Sequence, residues 1–426
     1  MRPTYPARAP RALVDNGVMG PDLVRRLSSG EGWGLLQALP PYDEQQVIAL
    51  GDRLRGEGFD PELVAAALTQ SRLRARGRDK FGDRVDAMLL TPDGVEQATR
   101  SEIAARHAAR FVGAGVTRVW DLGCGIGADA MGAAAAGLTV SAVDSDPATV
   151  AVAEVNLRGW PSARVRQATV EEVLPELPHG PDAVGCGAWL DPARRVPGAT
   201  DAGGRTRRIF RLEEISPSWD TVREVASRVP AAGAKLSPAF PHARVPEGAE
   251  AQWTSYRGEA LECTVWWGDA VRVPGRTAAV HTDDGWVEIH DAGTGPAPTL
   301  ATAEDIGGWL YEPDRAVLQA GLVGTLAAAV QGSELDGGVG YVGADQVTDL
   351  PWARRWRVLE VLPLHPKRLR SWARDHDLGR LTIKKRGVRL DADELRRQLR
   401  LKGSAEAVVV VTRIVGRPVV LHVQPH

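Results

Sequence analysis

Cysteine is scarce in this 426-residue chain: three residues, at 124, 186 and 263, with no CxxC spacing. That scarcity argues against a disulfide framework and a zinc finger and points to a reducing compartment. No uninterrupted run of about 18 apolar residues occurs, so no transmembrane helix is expected. The opening MRPTYPARAPRALVDNG has two prolines in its first six residues and no apolar segment. It reads as a poor signal peptide, and the expected location is the cytoplasm. No cysteine sits in a PC or TC pair, which speaks against a covalent cysteine nucleophile. Cys186, inside an expected strand, reads as core. No metal-ligand spacing is apparent either.

Net charge is small, −2, but unevenly spread. Residues 352–426 hold 18 Lys and Arg against 7 Asp and Glu, a balance of +11, leaving −13 for the remainder. A basic end on an acidic body suits a polyanionic partner, although a solvated small domain has the same signature.

Residues 20–77 show helical spacing around PDLVRRL, WGLLQAL and ELVAAAL. A stretch with six basic residues follows at 69–84. Thr91 or Asp93 then offers a cap for a helix running to Phe111. From 116 to 240 strands and helices alternate. Strands are expected at 118–122, 139–143, 163–167, 182–190 and 234–236, with helices at 128–136 and 147–157. Residues 251–289 turn β-rich and 290–306 read as a connection. A helix with Pro313 in its first turn is expected from Glu312. Then come strand 357–362, helix 366–375, strand 380–385, helix 392–399 and a hairpin turned at Val415. The parts expected are an N-terminal helical region (1–90), a catalytic domain (91–295), a connecting helical segment (296–351) and a basic α+β domain (352–426).

VWDLGCGIGADA, at 119–130, fits the dinucleotide pattern G-x-G-x-x-[G/A], with Asp144 about 20 residues on. Asp121 alters that reading, because a carboxylate beside the glycines repels a pyrophosphate. It favours a ligand bearing ammonium or sulfonium charge. No GK[ST] follows, so this is not a Walker loop. S-adenosylmethionine fits: Asp121 for its amino group, Gly123, Cys124 and Gly125 for close backbone approach, and Asp144 with Ser145 for the ribose hydroxyls.

DLGCGIG (121–127), AVDSDP (142–147) and AVAEVN (151–156) resemble the class I S-adenosylmethionine-dependent methyltransferases over roughly 95–270. The resemblance implies an α/β Rossmann-like sheet and adenine contacts just after the third strand, at Gln167, Ala168 and Thr169. Where amino-methylating enzymes carry [N/D/S]PP[F/Y/W], this chain keeps Asp191 and Pro192 but has Ala193 and Arg194. Asp191 and Pro192 are thus the candidate acceptor site. Trp189 could stack on a base or belong to the core. Arg194, Arg205, Arg207 and Arg208 could clamp phosphates, or simply be solvated.

RLRARGRDKFG (72–82) and the segment from Met88 to Phe111 resemble the lead-in of trimethylguanosine-synthase-like RNA methyltransferases. That implies Lys80, Phe81 and Thr91 near the cofactor mouth, unless the segment is a plain helical lid. GRLTIKKRG (379–387) and the hairpin from Ala405 resemble the THUMP-like domain found after bacterial methyltransferases. THUMP domains bind RNA, so the resemblance implies phosphate contact by Lys384, Lys385 and Arg386, helped by Arg396, Arg397 and Lys402. The expected activity is methylation of a base in structured RNA, transfer or ribosomal. A small-molecule or protein methyltransferase, and an inactive RNA-binding scaffold, stay open.

Overall fold

The computed structural model describes residues 19–194, 212–291 and 293–426. The chain forms two compact units, residues 1–235 with 266–271, and residues 236–265 with 272–426.

The first unit opens with helices α1 (Pro21–Ser28), α2 (Gly30–Ala38), α3 (Val47–Gly56) and α4 (Pro61–Phe81). Ser29 caps α2, and Asp60 caps α4 by accepting from Leu63 N at 3.0 Å. Helix α3 escapes hydrophobic periodicity because its buried face is only Gly51 and Leu54. Most of the basic stretch from residue 69 continues α4, with Arg74 buried against the core.

Helices α5 (Pro92–Gln97) and α6 (Ser101–Gly113) replace the single helix expected to reach Phe111. Thr91 caps α5 as expected, accepting from Gly94 N at 2.9 Å. The break at 98–100 has extended backbone at Ala98 and Arg100. It turns Thr99 inward to bond Asp129 Oδ2 at 2.6 Å.

Strand β1 (Arg118–Leu122), helix α7 (Ala128–Ala135), β2 (Thr139–Asp144), α8 (Pro147–Leu157), β3 (Ala163–Gln167) and the short α9 (Val170–Val173) follow in alternation. Next come β4 (Cys186–Leu190), the two-residue pair β5 (Ala193–Arg194) and β6 (Ile215–Ser216), α10 (Trp219–Arg228) and β7 (Ala231–Leu236). The parallel order is β3-β2-β1-β4-β7. Strand β4 starts later than expected because Gly185 is left-handed (φ +67°) and its carbonyl accepts from Thr117 and Arg118. Strand β7 starts earlier, since its buried alanines carry little β signal.

Residues 88–91, leading into α5, lie between two buried amides. Gln70 of α4 exchanges bonds with both the N–H (2.8 Å) and C=O (2.7 Å) of Leu90. Asn156 of α8 does so with Leu89 (2.7 and 3.0 Å) and also donates to Ile126 O at 2.8 Å. Side chains thus serve as strand partners for a segment that has none, as buried backbone requires.

The second unit contains β8 (Glu250–Tyr256), β9 (Glu259–Gly268, its last residues counted with the first unit), β10 (Gly275–Thr282) and β11 (Gly285–His290). Then follow β12 (Trp309–Pro313), α11 (Arg315–Gln319), α12 (Val323–Val330), β13 (Ser333–Glu334) and β14 (Val342–Ala344). The expected helix at Glu312 is a correction: that residue lies in β12, whose Leu310 and Tyr311 are buried between paired neighbours. The helix starts one residue after its cap, Asp314.

The unit ends with β15 (Ala353–Pro363), α13 (Pro366–Asp375), β16 (Leu378–Lys385), α14 (Ala392–Leu399), β17 (Ala405–Ile414) and β18 (Arg417–Pro425). The sheet order β13-β14-β12-β15-β18-β17-β16 uses strands from residues 309–344 as well as the C-terminal ones. Helices α13 and α14 cover one face through Leu369, Trp372, Leu395 and Leu399. Leu300, Ile306 and Tyr341 cover the other.

Asn156→Leu is expected to strand three buried backbone groups and lower the unfolding free energy by about 3 kcal/mol. Denaturant titration checks this; an unchanged midpoint would mean the clamp contributes nothing to stability.

Candidate active site

Strand β1 is hydrogen-bonded to β2 on one side and β4 on the other. Ligands in open α/β sheets sit at such a switch point, beyond the carboxyl ends of the strands. Asp121 is one residue from the end of β1, Asp144 ends β2, and Asp191 follows β4.

Asp121 is 2% exposed, and neither carboxylate oxygen has a hydrogen-bond partner. It borders a small cavity with His107, Asp129 and Trp189. Burial, then the charges of Asp129 and Asp191, push its carboxyl well above the ordinary range, and Lys235 offsets this in part. A buried, unpaired acid is costly unless a donor or cation reaches it.

The glycine loop follows. Gly123 has φ +87°, and a Cβ there would lie 3.0 Å from the Asp191 carbonyl oxygen. The loop and the chain after β4 therefore touch backbone to backbone. Asp144 is pinned by Gly125 N (2.9 Å) and Asp146 N (3.0 Å), which orients its carboxylate beside the loop. Gly94 of α5 packs on the same loop, where a Cβ would come within 2.7 Å of Ile126 Cγ2.

The other residues expected around the cofactor divide. Cys124 is buried, and its thiol is pushed up by burial and by Asp121 and Asp144. Ser145, Gln167 and Thr169 are exposed and Ala168 is half-buried. The β2–β3 pairing brings the two strand ends together: Gln167 donates to Ser145 O at 3.3 Å and Ala168 N to Asp144 O at 3.0 Å. The Thr169 hydroxyl caps α9 in a reciprocal pair with Glu172. Phe81 is core, 3% exposed, while Lys80 is pushed down to about 8 by burial and then by Lys235 and Arg100.

Asp191 and Pro192 are half-buried, and Asp191 pairs with Lys235 of β7. Lys235 also donates to Thr99 Oγ1 at 3.1 Å. Thr99 donates to Asp129, whose other oxygen meets His107 Nδ1 at 2.8 Å. Despite its burial, Asp129 is held below the ordinary range by His107 and Lys235. Thr99, His107, Asp129 and Lys235 thus form a polar floor that sequence reading missed. Asp129, two residues past the last glycine, was the one visible signal. Trp189 is 2% exposed and lies 4.2 Å from the His107 ring, so it belongs to the core and does not stack on a base.

Arg194 has its backbone in β5, while Arg205, Arg207 and Arg208 lie outside the described residues. In the second unit, Lys384 and Arg386 both pair with Glu312, and Lys385 donates to Leu390 O. Arg396 bonds Leu381 O and Asp393, and Arg397 bonds Glu394. Lys402 is exposed with no partner among the described residues. The lysines and arginines expected to form one phosphate-binding group are mostly engaged within the fold.

Comparison with known proteins agrees with this fold. The chain is 33% identical over 369 residues to an uncharacterized S-adenosylmethionine-dependent methyltransferase of Mycobacterium tuberculosis strain CDC 1551, covering 83% of this chain and 93% of that one. The counterpart in strain H37Rv matches equally. A solved structure from Porphyromonas gingivalis W83, described as a candidate methyltransferase, superposes with a TM-score of 0.68 at 18% identity, over 91% of this chain and 99% of that one. Residues 353–425 match the THUMP domain-like family and residues 20–77 a domain family of unknown function, DUF8688. The fold and site define a Rossmann-like methyl-transfer enzyme. The chain belongs to the S-adenosylmethionine-dependent methyltransferases. Its site fits that cofactor: the buried Asp121 carboxyl has no hydrogen-bond partner, and Gly125 leaves open space in the loop that follows it.

Between the ordinary aspartate range and its raised value, Asp121 keeps a proton in the folded chain that the unfolded chain has lost. Stability of the cofactor-free protein therefore falls as pH rises through that window. Asp121→Asn removes this penalty and is expected to melt at least about 2 °C higher near neutral pH. Melts at several pH values check this; equal melting of both proteins above the window would contradict it.

Proposed function

We propose that the chain methylates a base of structured RNA, transfer or ribosomal. The observation carrying this reading is a THUMP domain-like segment at 353–425 in a chain that is a methyltransferase. The excess positive charge of the same residues supports it.

Asp121 accepts from the cofactor's amino group, whose positive charge relieves the unpaired acid. Gly123, Cys124 and Gly125 present backbone along the ligand. Asp144, beside Ser145, receives the ribose hydroxyls, and Gln167, Ala168 and Thr169 border the adenine. Bound, the sulfonium supplies an electrophilic methyl group. The Asp191 carbonyl and Pro192 align the acceptor for in-line attack, and Lys235 holds the Asp191 carboxylate in place. Alignment and exclusion of water are what such a transfer needs. The proton displaced from the methylated atom leaves to solvent.

Arg194, Arg205, Arg207 and Arg208 flank the acceptor position in sequence and are offered as phosphate contacts. In the C-terminal part that role passes to Lys402 with Arg389, Arg400 and Arg417, which are exposed and unpaired among the described residues. Lys385 is exposed but donates to Leu390 O, whereas Lys384 and Arg386 hold Glu312. That engagement favours a second reading, a small-molecule or protein substrate, as does the missing aromatic after Pro192.

Three measurements test this account, the first its cofactor site and the other two its substrate. Asp121→Ala is expected to abolish cofactor binding in calorimetry with the fold retained; unchanged affinity would remove that assignment. Full-length protein given methyl-labelled cofactor and total RNA should label RNA. Replacing Arg400 and Lys402 with Gln should lower the salt dependence of RNA binding by about one to two ions. Label that survives nuclease treatment would move the substrate to protein or small molecules.

A further inference from the structure

Strands β15 and β18 are antiparallel neighbours, and their register breaks once. Val358 lies opposite Val423, yet Glu360 lies opposite His422, so one extra residue is accommodated at Leu359. In regular pleating Glu360 would share the face of Val358, which packs in the core away from α13. The bulge turns it to the opposite face, beneath α13, next to His422. Bulges commonly re-aim a side chain in this way.

Helix α13 brings the third group. His376, its C-cap, has Nδ1 at 2.9 Å from the Trp372 carbonyl oxygen. A carbonyl only accepts, so Nδ1 carries the hydrogen and the lone pair is on Nε2. That Nε2 is 3.4 Å from Glu360 Oε1. The Trp372 indole N–H donates to the other oxygen, Oε2, at 2.7 Å. One buried tryptophan therefore orients both an imidazole and a carboxylate. His422 Nδ1 is buried without a hydrogen-bond partner. One donor atom from each of the three residues lies within 4.8 Å of the others.

We propose that Glu360, His376 and His422 form a binding site for a divalent transition-metal ion, with zinc the best match to its donors. Two imidazoles and one carboxylate suit zinc over magnesium or calcium, which favour oxygen ligands. Bonds of about 2.0–2.2 Å at tetrahedral angles put donors about 3.4 Å apart. The His376–Glu360 pair already has that spacing. Hydrogen bonds from the far side of a ligand, as Trp372 supplies to His376 and Glu360, are the usual support of such sites. Glu360 and His376 are each more than a third exposed, so a fourth position opens to water. The ion would fasten α13 to the β15–β18 pair. The proposal is independent of the methyl-transfer site and of the RNA reading.

Calorimetry of the untagged, full-length, chelator-stripped protein with Zn2+ is expected to give one saturable site, and Co2+ should produce visible d–d absorption at that site. Glu360→Gln keeps an acceptor for Trp372 and preserves the fold, yet should weaken Zn2+ binding at least about tenfold. His376→Ala with His422→Ala should remove the site and the Co2+ spectrum. Excess Zn2+ should raise the melting temperature of the parent and leave the double variant unchanged. Absence of a saturable site, or equal affinity in parent and double variant, would overturn the proposal and leave a simple His–Glu pair.

Discussion

Negative charge with too few partners is the constraint around which the first unit is arranged. Asp121, Asp129, Asp144 and Asp191 gather where β1 meets its two neighbours, and each is handled differently. Asp144 is held by backbone N–H groups, Asp129 by His107 and Thr99, and Asp191 by Lys235. Asp121 alone has neither a hydrogen bond nor an ion pair. Supporting its neighbours while leaving it bare makes this point of the sheet receptive to a positively charged ligand. A family using a sulfonium cofactor that also carries an ammonium is consistent with that arrangement.

Much of this was legible in the residues. The glycine loop and the acids at two strand ends are local patterns, and each lies at the predicted position on the predicted element. The bounds of α13 and α14 match because amphipathic spacing and flanking turns coincide there. What escaped reading was non-local. Nothing near Thr99 announces that it faces Asp129, thirty positions away. Lys235 lies in a strand of small buried residues with weak β signal. The Glu312 segment has helix-like punctuation, a proline and an aspartate, but its pairing with β14 and β15 is decided by distant chain.

Charge counting was incomplete for the same reason. The basic character of residues 352–426 is real, but Glu312, from outside that range, draws in both Lys384 and Arg386. Local acids engage Arg396 and Arg397. The unengaged cations left to meet a polyanion are fewer than the composition suggests.

The paired amides Gln70 and Asn156 bear on cooperativity. They secure a short extended segment from two sides, and Asn156 also reaches the glycine loop through Ile126. A tract that matches its own family model is thereby fastened to the parallel sheet of the first unit. Loosening either amide would be felt at the loop, so the leading helices and the sheet are expected to unfold together as a single thermodynamic block.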